Sequence, residues 1–140
     1  MRSTVHIVDD DQDGCRALSR LVSFSGYSVT SYLSAAQFLD SVPAPAAGCG
    51  CILLAFQLPA MNGLSLQERL KRANSALPII YVSRSATPIP SVHAMEEGVE
   101  GFLIKPVCAS QLIPAIESAL KISQRILLWR SAEGRLRRAA

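Results

Sequence analysis

The chain has 140 residues, 49% of them hydrophobic and 18% charged, which is enough for one domain with a real core and excludes a disordered or fibrous class. Its formal charge of +3 belongs to the carboxyl end. Beyond Lys121, Arg125, Arg130, Arg135, Arg137 and Arg138 face a single acid, Glu133, while residues 1–120 are close to neutral or slightly acidic.

No apolar run approaches the roughly 18 residues that a membrane span needs. Met1 to Val5 leads straight into a strand without a secretory pattern, so a cytoplasmic chain without membrane contact is expected. In that setting Cys15, Cys49, Cys51 and Cys108 are expected as reduced thiols. Cys49-Gly50-Cys51 has no second Cys/His pair nearby to complete a tetrahedral zinc site.

Val5-His6-Ile7-Val8 reads as a first strand, followed directly by Asp9-Asp10-Asp11. Leu18, Leu21, Val22 and Ser25 fall at helical spacing, and Gly26 stands where a C-cap glycine belongs, giving a helix from about Gln12 to Ser25. Tyr27 to Tyr32 is a second strand with β-branched residues. Ser34 is an N-cap for a short helix through Leu39, and residues 42–50 form a loop. Cys51-Ile52-Leu53-Leu54 is an unbroken apolar run, the pattern of a strand buried on both faces of a parallel sheet. Pro59 ends it, Asn62-Gly63 turns, and Leu64, Leu66, Leu70 and Ala73 give a third helix. Leu77 to Ser83 is a fourth buried strand. A weaker helix runs from Pro88 to Glu97, closed by Gly98, and Gly101 to Ile104 is the fifth strand, ended by Lys105-Pro106. Leu112, Ile116, Ala119, Leu120, Ile126 and Leu127 keep helical spacing from about Ser110 to at least Trp129. Pro114 is tolerable within the first turn, which pins that helix's start near Ser110.

Five strands alternating with helices specify an α/β fold: a doubly wound parallel sheet of the flavodoxin-like (βα)5 kind, order 2-1-3-4-5, with an extended C-terminal helix. In that order the ends of strands one, three, four and five meet at one crevice, bringing Asp9 and Asp10, Ala55, Ser83 and Lys105 together. Two adjacent carboxylates raise each other's pKa unless a cation neutralises them, and Mg²⁺ suits such a pair. The competing reading is a solvated turn whose acids complement a helix N-terminus.

Val8-Asp9-Asp10-Asp11, the run from Leu54 to Gly63 with its Pro59, Ser83 after a hydrophobic strand, and Phe102-x-x-Lys105-Pro106 together resemble the receiver domain of two-component response regulators, of the type followed by a helix-turn-helix output domain. The resemblance covers residues 4 to about 120. It implies an Asp at the end of the third strand that takes a phosphoryl group from a histidine kinase, with Mg²⁺ held by the acid pair and a backbone carbonyl. Carried over, Asp10 is the direct metal ligand, Asp9 its partner, and Gln57 the source of the carbonyl. Ser83 offers the hydroxyl to the phosphoryl group, Lys105 the cation, and Phe102 the aromatic that reports the switch.

Two positions depart from that pattern. Four residues before Pro59 stands Ala55, where the family has the acceptor Asp, and a methyl cannot form an aspartyl phosphate. Arg84 follows Ser83 where the family usually has a small residue; its guanidinium either reaches the acid pair or points to solvent. Mg²⁺ is therefore expected to bind weakly or not at all. Ala55 is either natural, making a degenerate receiver that signals through phosphorylation-independent contacts, or an engineered change in an ordinary receiver cut from a DNA-binding regulator. An enzyme is not expected: there is no glycine-rich phosphate loop, and neither His6, inside the first strand, nor His93, on the weak helix, joins a nucleophile.

Residues 1–120 are thus expected as the receiver domain and 121–140 as a basic helical extension or linker. No output domain fits after Trp129, so DNA would be reached only through a domain missing from this sequence. The apolar stripe of the extension suggests pairing, such as a homodimer, alongside a histidine kinase or other signalling protein as partner. The expected contact surface is the fourth helix, fifth strand and last helix.

Overall fold

A computed structural model describes residues 3–41, 48–58, 63–73, 75–84 and 99–139. Within them lie β1 (Thr4–Val8), α1 (Gln12–Phe24), β2 (Ser28–Tyr32), α2 (Ala35–Ser41), β3 (Gly50–Ala55), α3 (Gly63–Arg72), β4 (Ile79–Ser83), β5 (Gly101–Ile104) and a C-terminal helix (Ala109–Ala139). All strand pairs are parallel, in the expected order β2-β1-β3-β4-β5. The helix expected over 88–97, with His93, lies outside the described residues, as do Pro59 and Asn62.

β3 is buried along its whole length, and its side chains alternate between two cores. Cys51 and Leu53 pack with Cys15, Leu18 and Val22 of α1 and with Leu112 and Ile116 of the C-terminal helix. Ile52 and Leu54 pack on the other face with Phe38 of α2 and Leu66 and Leu70 of α3. An unbroken apolar strand therefore needs helices on both sides, and has them. Gly50 opens β3 opposite Thr4, and a Cβ there would run into the Thr4 carbonyl, so this close strand approach requires glycine.

Local signals set the helix ends. Gly26 follows α1 at φ +96°, a conformation glycine adopts without strain. Ser34 caps α2: its Oγ accepts the Gln37 amide at 3.1 Å, and Gln37 Oε1 accepts the Leu33 amide at 2.8 Å. The C-terminal helix differs from expectation at Pro114, which lies inside the helix and beyond its first turn. The Cys108 carbonyl accepts the Gln111 and Leu112 amides, so the helix starts at Ala109, a full turn ahead of the proline. Pro114 leaves the Ser110 carbonyl without a helical donor, but both residues are exposed and water can serve. Ser123 Oγ accepts the Gly50 amide at 3.1 Å, tying this helix to the start of β3. Farther on it presents Leu128, Trp129 and Leu136 to solvent, with Trp129 72% exposed.

His6 is buried on β1, its ring 6.0 Å from that of Tyr32 and 5.6 Å from that of Phe38. Nδ1 meets the Tyr32 hydroxyl at 3.4 Å, while Nε2 is buried without a partner among the described residues. One ring nitrogen of this core histidine is thus partnered and the other is not. Burial holds its pKa below the ordinary 6.5, so the folded state resists a proton that the unfolded chain accepts. That contribution to stability is complete above about pH 6.5 and is lost as pH falls below it. The melting temperature should drop more between pH 7.5 and pH 5.5 in the wild type than in His6→Gln; equal drops would remove His6 as the cause.

Candidate functional site

The register brings the strand ends to one level. Val8 pairs with Leu54, Ala55 with Val82, and Ser83 with Ile104, so Asp9, Ala55, Ser83 and Lys105 line a single edge. Backbone bonds extend the ladders one residue further: the Asp9 amide donates to Tyr32 O at 3.0 Å, and the Lys105 amide to Ser83 O at 2.8 Å. Four of the residues predicted from sequence thus meet where parallel strands end, the usual place for a site in open α/β sheets.

Asp9 is 2% exposed and both its oxygens are engaged. Oδ1 accepts the Asp11 amide at 3.0 Å, and Oδ2 accepts Lys105 Nζ at 2.7 Å. Lys105 Nζ also lies 3.6 Å from Asp11 Oδ2. Asp11 opens α1 from an extended backbone without a capping hydrogen bond of ordinary geometry, yet the Gly14 amide it faces is the main cause that holds its carboxyl below the usual range, with Lys105 adding to it. A Cβ at Gly14 would press on both the Asp11 carboxylate and Lys105 Nζ. Either side-chain end would have to give way to a larger residue here. Sequence reading passed over Gly14, because nothing in its local spacing announces a lysine 91 positions later.

Asp10 stands differently. Its Oδ1 is shielded from water without a hydrogen-bond partner among the described residues, and Arg84 Nη2 is 3.9 Å away. Both readings of Arg84 hold in part: the guanidinium faces the acid pair, and its side chain is 64% exposed. Ser83 is buried at the end of β4 and its Oγ donates to Gln57 Oε1 at 3.4 Å. Gln57, expected to act through its backbone carbonyl, thus also contributes its side chain. Ala55 is the last residue of β3, buried, with only a methyl at the edge.

Cys15 lies beneath the acids, its Sγ donating to Asp9 O at 3.3 Å. Burial, and then the Asp9 charge, push this thiol up to about 11, so it serves as a packed hydrogen-bond donor and not as a nucleophile. Phe102 sits away from the charges, half-buried against Tyr81 and Phe56, with ring centroids 6.2 and 5.9 Å apart. Tyr81 is fixed by donating its hydroxyl to Gln67 Oε1 at 2.6 Å. A groove of about 410 Å³ runs beside the site, lined by Gly14, Ala17, Leu18 and Leu21 of α1 and by Lys105, Pro106 and Val107. No group of three or more His, Cys, Asp or Glu side chains among the described residues is arranged to hold a metal.

Residues 5–117 match the family model described as the response regulator receiver domain. Response regulator protein TodT of Pseudomonas putida is 38% identical over 121 residues, 86% of this chain and 52% of that protein. Transcriptional regulatory protein FixJ of Bradyrhizobium diazoefficiens is 31% identical over 117 residues, 84% of this chain and 56% of that protein. The chain thus spans about half the length of these curated relatives. Among solved structures, response regulator StyR superposes with a TM-score of 0.89 at 29% identity, covering 99% of this chain and 69% of that one. The amino-terminal part of FixJ superposes with a TM-score of 0.78 at 29% identity, covering 86% and 95%. With the strand order, the acid-lysine edge and this match over most of its length in agreement, the chain belongs to the response regulator receiver domain family.

Proposed function

We propose that this receiver domain does not accept a phosphoryl group at position 55 and signals, if it signals, through phosphorylation-independent protein contacts. Receiver domains in general work with histidine kinases and Mg²⁺ in two-component signalling, and their acceptor is a carboxylate. The observation that carries the proposal is the methyl of Ala55 at the end of β3, on the same edge as Asp9 and Ser83, so that position 55 offers no side-chain oxygen to attack phosphorus.

The residues present fit Mg²⁺ poorly. Asp10 Oδ1 is a free carboxylate oxygen, but both oxygens of Asp9 are taken by Lys105 and the Asp11 amide. Asp10 and the Gln57 backbone carbonyl would hold the ion, with Asp9 as the outer partner, and it would neutralise the carboxylate charge; two carboxylates make that binding weak. In this reading Ser83 and Lys105 are retained phosphoryl contacts and Phe102 a retained switch aromatic. The domain has no catalytic residue. Its protein contacts run over the β5 and C-terminal helix face, with a histidine kinase or another signalling protein as partner. Residues 121–140 act as a basic linker, and DNA is contacted only through an output domain joined to it; pairing of two copies uses the exposed stripe of that helix.

A second reading is favoured by Ser83, Lys105 and Asp9, which keep their places at the edge although an inert position 55 leaves them without a phosphoryl group to hold. Here the chain is an ordinary receiver of a DNA-binding regulator carrying an Asp-to-Ala change. Incubation with a small-molecule phosphodonor and Mg²⁺, followed by intact-mass measurement, tests the first reading directly. We expect no stable phosphoryl adduct on the wild-type chain, and an adduct mapped to the carboxyl edge would refute it.

A further inference from the structure

We infer that Arg84 is a tethered cation that occupies the electrostatic place of a divalent ion beside Asp10, so that this edge balances its acids internally and keeps metal ions out. The inference rests on Asp9 and Asp10 being the cation-binding pair, and it goes further by naming what fills that role in this chain.

Three carboxylates meet at the edge, from Asp9, Asp10 and Asp11, and among the described residues two side-chain cations, Lys105 and Arg84, lie within 4 Å of them. Lys105 serves Asp9 at 2.7 Å and Asp11 at 3.6 Å. Asp10 is the acid left over: its Oδ1 is cut off from water, accepts no hydrogen bond among the described residues, and has the guanidinium of Arg84 at 3.9 Å. That distance is too long for a hydrogen bond but ordinary for a Coulombic pair. A carboxylate oxygen kept from water and left without a donor is an open ligand position. A guanidinium next to it repels a dication and supplies the neutralisation the dication would bring.

The position of Arg84 makes this possible. It follows Ser83, the last residue of β4, and β4 is separated from β1 only by β3, which ends in Ala55. With a methyl at 55, no carboxylate stands between Asp10 and the β4 edge to claim the guanidinium first. Inert position 55 and the cation at 84 are therefore two parts of one arrangement.

The probe is Mg²⁺ itself, with Mn²⁺ as a second ion, titrated into the wild-type chain, Arg84→Gln and Asp10→Asn. Binding is read by calorimetry and by the rise in melting temperature with ion concentration. Arg84 is largely exposed, so its removal leaves the fold intact, and circular dichroism of each variant verifies this. A fully formed pair at this separation would be worth far more, but screening at an exposed guanidinium leaves an expected gain of about tenfold in Mg²⁺ affinity for Arg84→Gln, with Asp10→Asn abolishing the binding. If Arg84→Gln and wild type bind equally and both lose binding with Asp10→Asn, the metal pair stands and the role of Arg84 is overturned. Binding that survives Asp10→Asn, or that is absent from all three proteins at millimolar ion, overturns both.

Discussion

Ala55→Asp should convert the chain into a phosphoacceptor: with a small-molecule phosphodonor and Mg²⁺, its intact mass should rise by one phosphoryl group while the wild type stays unchanged. The register supports this expectation. Val8 pairs with Leu54, so a carboxylate at 55 would stand beside Asp9, with Ser83 and Lys105 at the neighbouring strand ends. Attack on phosphorus needs a carboxylate oxygen as nucleophile and cations to spread the developing charge. The variant adds the first, and Lys105 and Mg²⁺ supply the second. The same change carries a cost that makes a second readout. A fourth acid at an edge with two cations adds like-charge repulsion, so without Mg²⁺ the variant should be about 1–2 kcal/mol less stable than wild type. Mg²⁺ should recover most of that loss. No adduct, with Ser83 and Lys105 intact, would mean that the edge has lost more than its nucleophile.

Lys105→Met should be the most damaging single change at the site for stability. Asp9 is buried, its Oδ2 lies 2.7 Å from Lys105 Nζ, and Asp11 relies on the same ammonium at 3.6 Å. Removing one partner of a buried ion pair leaves an uncompensated charge in a poorly solvated place, which costs about 3 kcal/mol once the partial exposure of Lys105 is allowed for. Urea unfolding of Lys105→Met, Asp9→Asn and the double variant gives the coupling directly. The double variant should be markedly more stable than Lys105→Met alone, because the orphaned charge is gone. A loss below about 0.5 kcal/mol for Lys105→Met would place the pair with ordinary surface ion pairs.

The comparison of sequence with fold is instructive at particular residues. Cys51 to Leu54 announced a doubly covered strand because four consecutive apolar side chains can be buried only between two helical layers. Gly26 and Ser34 announced helix ends because their chemistry acts within a few residues. Gly14 gave no such signal: the space beside it holds the ends of Asp11 and Lys105, and the lysine is brought there only by the sheet. Pro114 pointed to a start within one residue of the observed Ala109 for the wrong reason: it lies beyond the first turn, and the start is set by the Cys108 carbonyl. Arg84 stood between two readings because adjacency to Ser83 says nothing about which carboxylate a long side chain meets.

Periodicity, turn chemistry and the order of short motifs thus determined by themselves the strand count, the family resemblance and the residues gathered at one edge, since each depends on interactions local in the chain or on a topology with few alternatives. The tertiary structure alone decided how the charges pair: Lys105 divided between Asp9 and Asp11, Asp10 left to Arg84, and Ser83 turned to Gln57. Those choices turn on differences of about an ångström between side chains tens of residues apart, and Coulomb energies at such separations depend on distance and solvent access that no linear pattern encodes.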